Sequence, residues 1–151
     1  MLETPCQALS VQPVHLHALI AEARRCFPHE CCGILVGRMQ SQCTLEIVRV
    51  VPAKNVAASR PDERYEIDPR ALLHVESELR NTTDEFVAGY FHSHPRGANA
   101  PSSIDLNDAR GVFDFARRFF VYAIVSLQGD GGVRWWNLAP TLDRFVQVLS
   151  G

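Results

Sequence analysis

A chain of 151 residues, 46% of them hydrophobic, can bury one real core but is short for two ordinary domains, so residues 1–151 are expected to form a single domain. Its 15 basic and 17 acidic side chains leave a net charge of −2 and include no long basic block, which argues against nucleic acid as the main partner. The opening MLETPCQALSVQP lacks a basic and then apolar leader, and no later run nears the roughly 18 apolar residues of a spanning helix, so a cytoplasmic protein with no membrane partner is expected.

In chain order, residues 14–27 set Leu16, Leu19, Ile20, Ala23 and Phe27 at helical spacing, with Glu22, Arg24 and Arg25 on the other face. That is an amphipathic helix, ended by Pro28. CCGILVG at 31–37 has the apolar content of a buried strand, and CTLEIVRVV at 43–51 alternates Leu45, Ile47 and Arg49 against Glu46, Val48 and Val50, giving a hairpin. Residues 52–64, with two prolines and no periodicity, form a loop of the length that usually carries function. Residues 65–67 return briefly to the sheet. Asp68-Pro69 caps and starts a second helix, whose buried stripe is Leu72, Val75 and Leu79. Residues 86–94 form a strand stopped by Pro95, and the loop RGANAP leads to Ser102 or Ser103 as N-cap of a third helix with Leu106, Ala109, Phe113 and Ala116 inward. FFVYAIVSL at 119–127 reads as a central strand; Gly129-Asp130-Gly131-Gly132 turns the chain into a last strand, VRWWNLA, before an amphipathic end of undetermined type. The order predicts an α/β sandwich around a mixed sheet. The five cysteines are odd in number and irregularly spaced, which fits reduced thiols. Cys26, Cys31, Cys32 and Cys43 flank apolar runs and are expected to behave as small buried hydrophobes.

The stretch 89–105, GYFHSHPRGANAPSSID, concentrates the chemistry. Strand alternation puts His92 and His94 on one face at a strand end, and a carboxylate in the first turn of the next helix, Asp105, can swing back toward them. Two histidines and one carboxylate with an open fourth position are the inventory of a catalytic zinc site, at which bound water becomes acidic near neutrality. A proton acceptor outside the ligand set is still needed. Glu30, at the mouth of the CCGILVG strand, is the candidate, since partial burial there would raise its pKa. Ser102-x-x-Asp105 also fits a plain capping box; Ser103 can take the N-cap role and leave Ser102 free to face the metal. His15, His17, His29 and His74 have no such company.

Together, His92-Ser93-His94-Pro95, six residues, Ser102, two residues, Asp105, and an upstream Glu30 in E-C-C-G-I-L-V-G resemble the JAMM (MPN+) zinc metalloproteases of the Mov34/MPN group. The likeness extends to Pro52-x-x-Asn55 and Tyr65-x-Ile67-Asp68-Pro69, and no motif position departs from the pattern. It implies a deaminase-like α/β sandwich, Zn2+ held by His92, His94 and Asp105, Glu30 as general acid/base, and Ser102 beside the developing oxyanion. Asn55 and Ser93 stand as candidate substrate contacts. The compact chain is similar to small stand-alone prokaryotic members, which implies cleavage after the C-terminal Gly-Gly of a ubiquitin-like β-grasp protein such as a sulfur carrier, releasing cysteine or a C-terminal extension. An extended tail is expected to lie by strand addition beside an edge strand, with residues 52–64 as one wall.

Three other enzyme types and one non-enzyme stand against this. A thiol protease would pair Cys31 or Cys32 with His92 or His94 but lacks an evident orienting acid. The paired H-x-E and P-C-x-x-C signature of zinc deaminases is absent, as is H-E-x-x-H. The alternative from another class is a non-catalytic binding module for a carrier tail.

Overall fold

The computed structural model describes residues 1–129 and 131–151. Asp130, expected in the turn before the last strand, lies outside the described residues. Ten elements follow one another: β1 (Ala8–Val11), α1 (Pro13–Cys26), β2 (Cys32–Met39), β3 (Thr44–Ala53), α2 (Pro69–Leu79), β4 (Phe86–His94), α3 (Ser103–Ala116), β5 (Val121–Ser126), β6 (Gly132–Leu138) and β7 (Phe145–Val148). The strands form one mixed sheet in the order β1-β3-β2-β4-β5-β6-β7, parallel where β1 meets β3 and β4 meets β5. This is the expected mixed α/β sandwich, with two additions. β1 and β7 are four residues each and carry too little periodicity to stand out from the chain around them.

Each face of the sheet buries its own apolar cluster. Leu19 and Ala23 of α1 pack with Leu35, Leu45, Phe91 and Trp135 on one face, while Val75 of α2 and Ala109 of α3 pack with Ile34, Val36 and Tyr122 on the other. Strand alternation explains how neighbours such as Ile34 and Leu35 serve opposite faces. The hairpin of β2 and β3 slips register between Val36 and Gly37, leaving Val48 without a partner. This bulge reverses the alternation. Arg49, expected in line with Leu45 and Ile47, therefore sits on the other face and pairs with Glu78 of α2.

The helix starts follow local capping chemistry. Asp68 accepts a hydrogen bond from the Arg70 N–H, and Pro69 supplies the first helical position of α2. Ser102, not Ser103, caps α3: its Oγ accepts from Asp105 N–H, while the Asp105 carboxylate accepts from Ser102 N–H. Arg117 is the left-handed residue that closes α3. In the loop before α2, Ile67 forms an isolated bridge with Asn55.

The sheet leaves no edge at the centre of the molecule. β2 and β4 each have a strand on both sides, and β1 and β7 are three strands from β4. Ser150 and Gly151 lie along β1, with Gly151 N–H donating to Leu9 O at 2.9 Å. The edge strand expected beside the site is thus not present among the described residues.

Candidate active site

β4 and α3 build the site from one face of the sheet. Phe91 enters the core under α1, so its neighbours Tyr90 and His92 point the other way, toward α2 and α3. Ser93, expected at the substrate, is 1% exposed and its Oγ accepts a hydrogen bond from Cys31 N–H at 2.8 Å. That contact ties β4 to the segment that carries Glu30.

His92, His94 and Asp105 converge. His92 Nε2 lies 3.1 Å from His94 Nε2 and 3.1 Å from Asp105 Oδ1, and His94 Nε2 lies 3.1 Å from Asp105 Oδ2. Donor atoms about 2.0–2.1 Å from a tetrahedral zinc ion stand roughly 3.3 Å apart; the separation of the two imidazole nitrogens fits such an edge, while the two aspartate contacts end on different carboxylate oxygens, either of which could serve as the ligand. Two neutral imidazoles and a carboxylate also suit Zn2+ by ligand type. This is the cluster of metal-ligating side chains found among the described residues. Asp105 serves two structures at once, because its Oδ2 also accepts from Ser102 N–H at 2.9 Å. The cap and the cluster are one arrangement, although as sequence they look like alternatives.

The electrostatics divide the two buried carboxylates. Burial alone would push Asp105 up, but hydrogen bonds from His92, His94 and Ser102 N–H outweigh it and hold this carboxyl well below the usual range. Glu30 is pushed up to about 8, chiefly by burial, with Asp105, Asp62 and Glu63 adding and His94 opposing. For His94, burial works downward but Asp105 and the Ala98 carbonyl raise it overall. The thiols of Cys31 and Cys32 are pushed up to about 12 by burial, so neither is a thiolate near neutrality. That removes the footing of a thiol-protease reading. Of the four cysteines expected to be buried, Cys31 and Cys32 are, while Cys43 is exposed and Cys26 half-buried; Cys6 is buried as well.

A cleft of about 970 Å3 opens beside Glu30 and Asp105. One wall is Ala57, Ala58, Ser59 and Glu63 of the loop, as expected, and the other is α3 with Ile104, Val112 and Phe115. Asn55 is engaged by the main chain: its Nδ2 donates to Glu30 O and Arg64 O, and its Oδ1 accepts from Ala57 N–H and Glu66 N–H. Tyr65, to which sequence reasoning assigned no role, stacks on His92 with ring centroids 4.4 Å apart. Its only advance signal was its place just before Ile67-Asp68-Pro69.

Comparisons with known proteins bear on the family and the fold. Residues 12–138 match the family model described as prokaryotic homologs of the JAB domain. The chain is 33% identical over 110 residues to a desampylase of Haloferax volcanii, covering 73% of this chain and 71% of that one. It is 39% identical over 83 residues to a Thermus thermophilus protein named "Probable TtuB-protein conjugate cleaving protease", a match spanning 55% of this chain and 51% of that protein. A solution structure from Desulfitobacterium hafniense shares the fold with a TM-score of 0.73 at 25% identity, covering 95% of this chain and 92% of that one.

Proposed function

As a member of the JAMM/MPN family in its prokaryotic, JAB-domain form, the chain is a peptidase, and we propose that it is a zinc-dependent isopeptidase cutting after the C-terminal Gly-Gly of a ubiquitin-like β-grasp protein. The substrate we favour is a sulfur-carrier protein or its conjugate. The observation that carries this reading is the convergence of His92, His94 and Asp105, with Asp105 and a buried Glu30 both lining a cleft. The names of the two relatives, one a desampylase and one a conjugate-cleaving protease, support the substrate class.

His92, His94 and Asp105 would hold Zn2+. When bound, the ion supplies a Lewis acid and lowers the pKa of a water toward neutrality. Glu30 takes the proton of the attacking water and returns it to the leaving amine; a pKa pushed up to about 8 lets it hold and release a proton near working pH. Ser102 Oγ accepts from Asp105 N–H at 3.1 Å, which leaves its hydroxyl proton to donate toward the developing oxyanion. The extended tail would run in the cleft between the loop and α3, where glycine lets backbone approach the cluster closely.

A β-grasp carrier ending in Gly-Gly plus a short extension tests this. Cleavage after the second glycine is expected, abolished by chelator, restored by zinc and indifferent to a thiol alkylator. Glu30→Gln should retain zinc and lose roughly 10²–10⁴-fold in kcat. Substantial turnover by that variant would remove Glu30 from its role, and tail binding without cleavage would favour a binding module instead.

A further inference from the structure

The two histidines of the cluster are held by different means. His94 Nδ1 lies 2.7 Å from Ala98 O, the kind of second contact that fixes the ring angle and tautomer of most metal-binding histidines. His92 has no counterpart: its Nδ1 is buried and has no hydrogen-bond partner among the described residues. What lies against its ring is Tyr65, with centroids 4.4 Å apart and planes 19° from parallel. A histidine ring turns about a broad, shallow torsion, and such a turn would swing Nε2 away from Asp105. The flat contact opposes it, because rotation drives the edge of the imidazole into the face of the phenol.

We propose that Tyr65 is a positioning residue that aims His92 Nε2 at the metal by stacking, in place of a hydrogen bond at Nδ1. The inference rests on the reading of His92 as a zinc ligand. It also assigns a task to the loop before α2. The Pro61 carbonyl accepts from Glu30 N–H at 2.7 Å, and the Asn55 side-chain amide donates to Glu30 O at 3.2 Å. Asn55 Oδ1 in turn accepts from the N–H of Glu66, the residue after Tyr65, at 3.0 Å. One loop therefore holds the backbone of the proton carrier and, through Tyr65, the ring of a ligand. Displacing it would disturb both together.

Zinc affinity of the full chain, measured by competition with a chromophoric chelator, tests the proposal without any substrate. The melting temperature of each metal-free protein is followed alongside. Tyr65→Phe keeps the ring and should bind zinc within about twofold of the wild type, whereas Tyr65→Leu should bind roughly 10–100-fold more weakly. A leucine variant with wild-type affinity overturns the proposal, as does a phenylalanine variant as weak as the leucine one, which would put the effect in the hydroxyl. If the leucine variant does not fold, proton–proton contacts between the rings of residues 65 and 92, measured by NMR in wild type and Tyr65→Phe, decide instead: their presence in both supports stacking and their absence overturns it. A wild-type chain that takes up no zinc would overturn the ligand reading and this inference with it; zinc uptake unchanged by Tyr65→Leu would overturn the inference alone.

Discussion

Glu30 and Asp105 are carboxylates of nearly equal exposure, 5% and 8%, and burial pushes both upward. Asp105 alone has two imidazoles and an amide turned on it, so the same fold keeps one acid ionised and the other close to protonated near neutrality. The metal-free protein should reveal this in its stability. Glu30 binds its proton more tightly when folded, so its contribution is full below its ordinary value near 4.5 and is lost as pH rises toward about 8. His94, raised above its ordinary value of 6.5, contributes below 6.5 and loses that contribution as pH climbs through its folded value. Asp105 acts only in the acid range. The melting temperature of chelated protein should thus fall from pH 5 to pH 8.5, and Glu30→Gln should flatten part of that decline; a rise across this window in the wild type would contradict the assignment. The convergence of His92, His94 and Asp105 was legible because strand alternation and a helix start place polar side chains predictably. Tyr65 stacking and the inward turn of Ser93 were not, since each depends on a neighbour from a distant segment.

Among the elements, β4 bears the closest contact. A Cβ built on Gly89 would lie 1.8 Å from Val121 O on β5, so the parallel pairing that holds the histidine strand admits only glycine there. Gly89→Ala should lower stability by at least about 2 kcal/mol, or about 5 °C or more in melting temperature for a chain of this size. An unchanged melting temperature would mean that β4 and β5 can separate freely. The longer strands and all three helices declared themselves through continuous apolar runs or 3.6-residue stripes. β1 did not, because ALSV acquires its identity only by pairing with β3, far along the chain. The bulge at Val48 was equally hidden: nothing local marks where a strand slips register.

At the level of the whole molecule, two apolar clusters share a single sheet, which supports reading residues 1–151 as one JAMM/MPN+ domain. Among the described residues no helix is long and apolar enough to cross a membrane. Residues 57–64 contribute no strand to the sheet, and Ala57, Ala58, Ser59, Glu63 and Arg64 among them line the cleft. Exchanging them for the matching segment of a relative should change which conjugate is preferred, read as the ratio of kcat/KM on two carriers, while the melting temperature stays within a few degrees. Unaltered preference would move selectivity to α3. The placement of Ser150 and Gly151 along β1, with β2 and β4 already paired on both sides, carries this further. A sheet whose central strands are already paired leaves no vacancy beside β2 or β4 for a client chain to join. Recognition at the candidate site would then fall to loop and helix side chains, and the scaffold can stay constant while its clientele diverges.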